Sequence, residues 1–174
     1  ARQLPCAFAE APARLAGFLD EYKPEMVIAV GLASGRADVS VERVAINLND
    51  ARIPDNLGLQ PIDTPVVAQG PAAYFSTLPI KAMVRAIQAA GIGASVSHTA
   101  GTFVCNQVFY SLQHALAGSG VRSGFIHIPA LAQQALESGV PSMALETMVQ
   151  GLRIALITAL NTEHDVLETG GQVS

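Results

Sequence analysis

Residues 86–121, between Arg85 and Arg122, contain no Asp, Glu, Lys or Arg. A stretch of that length without charge belongs either in hydrocarbon or in a protein interior. A membrane-spanning helix needs about 20 consecutive apolar residues. Here Gly, Ser, Thr, His, Asn and Gln interrupt the run at short intervals, which rules against a span. The stretch therefore reads as a buried strand, loop and helix crossing the middle of a domain. The chain of 174 residues is long enough for one domain, residues 1–174, with a real core. Half of its residues are hydrophobic and 14% are charged, with a mean hydropathy of +0.36. Such a composition predicts much buried surface and a subunit interface as well. The net charge of −4 comes from 10 basic and 14 acidic side chains, with no basic patch for nucleic acid.

The pattern along the chain alternates strand and helix. Residues 2–8 read as a short strand, and Glu10 to Tyr22 as a helix with Leu15, Phe18, Leu19 and Tyr22 on one face. Met26-Val27-Ile28-Ala29-Val30 is a continuous apolar run, as in a strand buried on both faces. Gly31 to Gly35 reads as a loop and Val44 to Leu48 as a strand. Asn49 to Pro71 is a long polar segment, and loops of that length usually have a function. Thr77 is expected to cap a helix that begins at Pro79 and stops at Gly91. Ala94 to Ser97 and Gly124 to Ile128 are further strands, separated by a helix that ends near Gly118. Ser142 is expected to cap a last helix reaching about Leu160, and Gly170-Gly171 to lie in a loose tail. This alternation predicts an α/β fold, a three-layer αβα sandwich with a mixed, mostly parallel sheet.

The chemistry centres on Cys105. It follows a turn of small residues, Thr99-Ala100-Gly101-Thr102, and immediately precedes the helical pattern Val108, Phe109, Leu112, Leu116. Unpaired N–H groups and the positive end of the helix dipole favour thiolate over thiol there. The same amides can hold an oxyanion. Cys105 is thus a candidate nucleophile. His127, at the end of a strand and before Pro129, is a candidate general acid and base, or else a core histidine bonded to backbone. His98 is a rival base, while His114 falls within a helix and His164 in the tail. Glu42 could orient an imidazole, although an exposed loop acid is the plainer reading. Arg52, in the polar loop, could stabilise a developing negative charge or be an ordinary surface cation. Gly31-Leu32-Ala33-Ser34-Gly35 lacks dinucleotide spacing. Two cysteines and four histidines at unrelated spacings do not make a zinc pattern, so no metal or other cofactor is implied. Cys6 and Cys105 could pair, but two cysteines in such a chain read as reduced and cytoplasmic. The opening Ala1-Arg2-Gln3-Leu4-Pro5 has neither an initiator Met nor an apolar signal region.

Ser95 to Asn106 resembles the nucleophile segment of the pyroglutamyl peptidase I family, the pyrrolidone-carboxylate peptidases. Val41 to Asn56, Gly70 to Ile80 and Gly124 to Pro129 are similar to three more segments of that family, in order along the chain. The resemblance implies a cysteine peptidase that removes N-terminal pyroglutamyl residues from peptides. By that resemblance Cys105 is the nucleophile, His127 the acid/base and Glu42 the residue orienting it. Backbone N–H at Cys105, with Arg52, would hold the oxyanion, and Ile53, Phe103 and Val104 would line the ring pocket. It also implies a homotetramer; the charge balance and the interrupted apolar run point to no nucleic-acid or membrane partner. The family has a Gly-, Pro- and Phe-containing segment before the matched region; the sequence starts after it, so it is expected either to be a fragment or to have lost that segment. Leu32 stands where many members have Gln. A catalytically impaired homologue that binds peptide ends, or only assembles, is the competing reading; retention of all three triad positions speaks against it. A nucleoside phosphorylase-like transferase would need a phosphate-binding loop and basic partners that the sequence does not offer.

Overall fold

The computed structural model describes residues 1–136 and 139–171 and adopts the expected α/β class. Its elements run α1 (Ala11–Tyr22), β1 (Met26–Leu32), β2 (Val39–Glu42), β3 (Val44–Ile46), β4 (Ala73–Phe75), α2 (Ile80–Ala89), β5 (Ala94–Ser97), α3 (Val104–Leu116), β6 (Arg122–Ile128), α4 (Ala132–Ala135) and α5 (Leu145–Asn161). They form two compact units. The first contains residues 1–29, 44–77 and 99–124, and the second residues 30–43, 78–98 and 125–171 of those described. Among the described residues, no helix is long and apolar enough to cross a membrane.

The second unit is built on a four-stranded mixed sheet ordered β1-β6-β2-β5, to which β1 and β6 bring their C-terminal ends. β2 pairs parallel to β5, with Glu42 opposite Ser97, and antiparallel to β6, with Ser40 opposite His127. All four residues of β2 are buried, and they alternate Val39, Ser40, Val41, Glu42. Strand geometry therefore places the valines on one face and Ser40 and Glu42 on the other. Helix α5 closes on the valine face through Gly151, where a Cβ would sit 3.4 Å from Val39 Cγ2.

In the first unit, β3 and β4 form an antiparallel pair against which α3 packs. Asn106, fully buried in the first turn of α3, joins them. Its Oδ1 accepts from Ile46 N–H at 3.0 Å, and its Nδ2 donates to the carbonyls of Ile46 at 2.9 Å and Leu48 at 3.0 Å. The long polar segment is tied down by side chains in place of a sheet. Asn47 bonds Val67 through both ends of its amide. Asn49 and Thr64 exchange backbone bonds of 2.7 and 3.0 Å. Gly70 must lack a side chain, because a Cβ would lie 2.6 Å from the Tyr110 hydroxyl, which donates to Pro71 O at 2.6 Å.

Several local expectations are corrected. Residues 2–8 form no strand: Phe8 N–H donates to Asp55 Oδ2 at 2.7 Å and Cys6 O accepts from Asn56 N–H, so the long loop satisfies this backbone. β1 continues through Leu32, inside the stretch read as a loop. The strand expected to reach Leu48 ends at Ile46, where Asn47 turns away to clamp Val67. Strands β2 and β4 and the short α4 escaped the sequence reading. Thr77 does not cap α2; its hydroxyl exchanges bonds with Ser123 N–H and C=O. Pro79 is the N-cap, and the free amides of Lys81 and Ala82 donate instead to the Asp165 carboxylate, at 3.1 and 2.9 Å. Ser142 forms a bridge with Ala130, and α5 starts three residues later, at Leu145. The tail is held as far as Gly170 by Asp165, by Glu168 O bonded to Lys81, and by Gly170 O bonded to Arg43.

Asp55 yields a pH-dependent expectation. Burial pushes its carboxyl up, but the backbone N–H groups of Phe8, Leu59, Leu57 and Gly58 outweigh that and hold it below the usual carboxylate range. A carboxyl lowered in the folded state contributes stability above its unfolded value of about 3.9. That contribution disappears as pH falls through the lower folded value. Asp55→Ala should therefore be less stable than the wild type at neutral pH in urea titrations. The gap should close as pH drops below about 4; a gap constant from pH 7 to 3 would show that the charge contributes nothing.

Candidate active site

Glu42 and His127 meet because of strand register. His127 lies opposite Ser40, so the two side chains share a sheet face, and Glu42, two residues further along β2, shares it too. This diagonal is within reach of two long side chains. His127 Nδ1 stands 2.7 Å from Glu42 Oε1. Both groups are buried, with Glu42 0% and His127 3% exposed. With Nδ1 engaged by the carboxylate, the proton on that nitrogen points at Glu42 and Nε2 is the ring position left for chemistry. Phe125, two residues before His127, packs against the imidazole at 4.8 Å between centroids. The reading of Glu42 as an exposed loop acid is overturned, as is that of His127 as a core histidine serving only backbone.

A third side chain reaches the same carboxylate oxygen. Arg36 Nη1 donates to Glu42 Oε1 at 2.6 Å. The sequence reading passed over Arg36, which follows the Gly31–Gly35 stretch considered for nucleotide binding. A cation on the loop beside a strand carries no signal of its own until the burial of Glu42 is known.

Cys105 belongs to the first unit. It is the second residue of α3, half-buried, with extended Phe103 as N-cap. The preceding turn uses Gly101 at φ +77°, a region glycine enters without strain. Its N–H donates to Thr99 Oγ1 at 3.0 Å. Thr102 then ties the turn to the long loop, its hydroxyl donating to Asp50 O at 2.7 Å and its carbonyl accepting from Asp50 N–H at 3.0 Å. Asn106 anchors the residue after the cysteine. The start of α3 is thus fixed from both sides, and its first amides carry the positive end of the helix dipole. Phe103 meets Phe8 edge to face at 5.2 Å, and Val104 is buried. Arg52 and Ile53 project from the loop that Thr102 holds, and Ile53 is 56% exposed.

The remaining histidines have other surroundings. His98 is half-buried just after β5. His114 Nδ1 bonds the Tyr74 hydroxyl at 2.8 Å, and His164 is exposed. Among the described residues, His127 is the histidine that pairs with a carboxylate, and no group of three or more His, Cys, Asp or Glu side chains is placed to hold a metal ion. At Cys6, burial and the nearby Asp55 charge push the thiol up.

The profile of the pyroglutamyl peptidase family matches residues 1–162. The chain is 70% identical over 174 residues to the pyrrolidone-carboxylate peptidase of Pseudomonas fluorescens strain SBW25, covering all of this chain and 82% of that one. It is similar in structure to the pyroglutamyl peptidase I of Bacillus amyloliquefaciens, with TM-score 0.94 and 44% identity, over 96% of this chain and 80% of the other. The pyrrolidone carboxyl peptidase of Thermococcus litoralis gives TM-score 0.91 at 37% identity, over 95% and 80%. The match extends through the segments that carry Glu42, Cys105 and His127 alike, and the chain belongs to the pyroglutamyl peptidase family.

Proposed function

We propose that Cys105 is the nucleophile, His127 the general acid and base, and Glu42 the residue that orients His127 in removing N-terminal pyroglutamyl residues from peptides. Membership of the family carries the reaction: the chain is a cysteine peptidase of the pyroglutamyl type. The buried 2.7 Å contact between His127 and Glu42 supports the division of roles. It selects the tautomer with a proton on Nδ1 and stabilises the ring when it becomes charged.

The Cys105 thiolate attacks the pyroglutamyl carbonyl, forming a C–S bond and an oxyanion. The amides at the start of α3, with Arg52, stabilise that charge. The oxyanion collapses, the C–N bond breaks, and imidazolium His127 gives its proton from Nε2 to the departing amine. Neutral His127 then takes a proton from water, which opens the thioester. The C–S bond breaks and pyroglutamate leaves with a regenerated thiol. Ile53, Phe103 and Val104 supply an apolar lining for a small, uncharged ring. The substrate has no free α-amine, so no acidic anchor is needed.

The enzyme is further read as a homo-oligomer, a tetramer by its resemblance to the family. Leu145, Val149, Leu156 and Leu160 support this, forming an exposed apolar stripe along α5. Light scattering should give a mass several times that of the chain; a monomer at micromolar concentration would refute it. The two free thiols fit a reducing compartment, the cytoplasm.

Hydrolysis of a pyroglutamyl-amide chromogen tests the roles. Cys105→Ala should abolish release. His127→Ala and Glu42→Gln should each lower kcat by on the order of 10²- to 10⁴-fold. His98→Ala should remain near wild type. Full activity in His127→Ala with loss in His98→Ala would transfer the base to His98. Iodoacetamide near neutral pH, without added reductant, should modify Cys105 well before Cys6. Equal rates at the two thiols would count against an activated nucleophile.

A further inference from the structure

Glu42 Oε1 is shared. Arg36 Nη1 lies 2.6 Å from it and His127 Nδ1 2.7 Å from it, while Glu42 is 0% exposed. The Arg36 side chain is 27% exposed and so reaches this buried oxygen from a partly open position. The loop between β1 and β2 is shaped to bring it there. Ala33 N–H donates to Ile128 O at 3.0 Å, fixing the loop beside the His127 strand. Arg36 N–H closes a turn onto Ala33 O at 3.2 Å, with Gly35 at φ +96° between them. A side chain at position 35 would be strained there, although it would meet nothing within 4 Å; glycine is needed for the path of the chain alone.

We infer that Arg36 is a positioning residue for the peptidase reaction, anchoring Glu42 as a carboxylate while His127 cycles between its charged and neutral forms. The inference rests on the proposed roles of Glu42 and His127. During acylation His127 is an imidazolium and helps balance the buried Glu42 charge. Once it has given its proton to the leaving amine, that balance is gone. A buried carboxylate without a countercharge is strongly disfavoured. Without Arg36, the proton on Nδ1 would be drawn toward Glu42 or the carboxylate would swing away. Either change would lose the tautomer that presents Nε2 to water. Arginine suits this role because its guanidinium stays charged throughout and holds a fixed geometry. Two donors on one oxygen also set its direction: with Oε1 held by Arg36, His127 has a stationary acceptor.

The experiment is a comparison of steady-state kinetics for wild type, Arg36→Ala, Arg36→Lys, Glu42→Gln and the double variant Arg36→Ala/Glu42→Gln. Arg36→Ala should lower kcat about tenfold to a hundredfold, the size common when the partner of a site residue is removed, with KM nearly unchanged. Millimolar guanidinium ion should restore part of that kcat, and the same concentration of sodium ion should not. Arg36→Lys should retain more activity than Arg36→Ala and covers the case in which the alanine variant folds poorly. In the Glu42→Gln background, losing Arg36 should have little further effect, because the group it positions is gone. Loss in Glu42→Gln with wild-type kcat in Arg36→Ala overturns this inference alone. So does a loss that multiplies fully onto that of Glu42→Gln, or one confined to KM. Wild-type activity in Glu42→Gln overturns the roles on which it rests.

Discussion

One carboxylate oxygen organises the second unit. Glu42 carries a charge where solvent does not reach, and a charge in that position persists only with partners held close. Two partners of its Oε1 come from separate parts of the chain: His127 from an adjacent strand and Arg36 from a tight turn. Each partner depends on a particular piece of local geometry. β2 must alternate so that its valines enter the core and Ser40 and Glu42 face the other way. β6 must run antiparallel in a register that sets His127 opposite Ser40. The loop after β1 must fold back sharply enough to need glycine at position 35.

The first unit solves a different problem, that of holding irregular backbone still. The segment from Asn47 to Gly70 has no extended ladder, yet its amides and carbonyls need partners. Polar side chains supply them: Asn47 across to Val67, Asp55 to the amides of Phe8, Leu57 and Leu59, and Gln60 to Ala51 O. Asn106 does the same for β3 from within α3, and Thr102 for Asp50. Residues on either side of Cys105 are thereby fixed, which gives a helix start a stable direction. Such scaffolding is what lets a loop carry chemistry without the strand or helix that usually provides rigidity.

The outline of both units was legible in local patterns. The apolar run from Met26, the helix before Lys23, the strand at Ala94 and the helix after Phe103 all stand close to where periodicity puts them. The misplaced helix starts share one cause. Thr77 and Ser142 have the right chemistry for helix caps and are used elsewhere, while a carboxylate more than 80 residues away caps α2. Cap preferences describe what a residue can do for its neighbours and are silent about a distant competitor for the same amide. The alternation in Val39-Ser40-Val41-Glu42 was present in the sequence, but four residues ending at Glu42 are too short to separate from a loop.

Local pattern was enough to set Cys105 at the beginning of a helix, because a turn of small residues followed by a helical period is a local instruction. It also determined the family, since the matching segments lie in order along nearly the whole chain. That Glu42 is buried, that His127 faces it and that Arg36 shares its oxygen came from the folded chain. Glu42 and His127 are 85 positions apart, and their meeting depends on which strands pair and in what register. That pairing is a property of the whole sheet: a shift of one residue would turn either side chain to the opposite face.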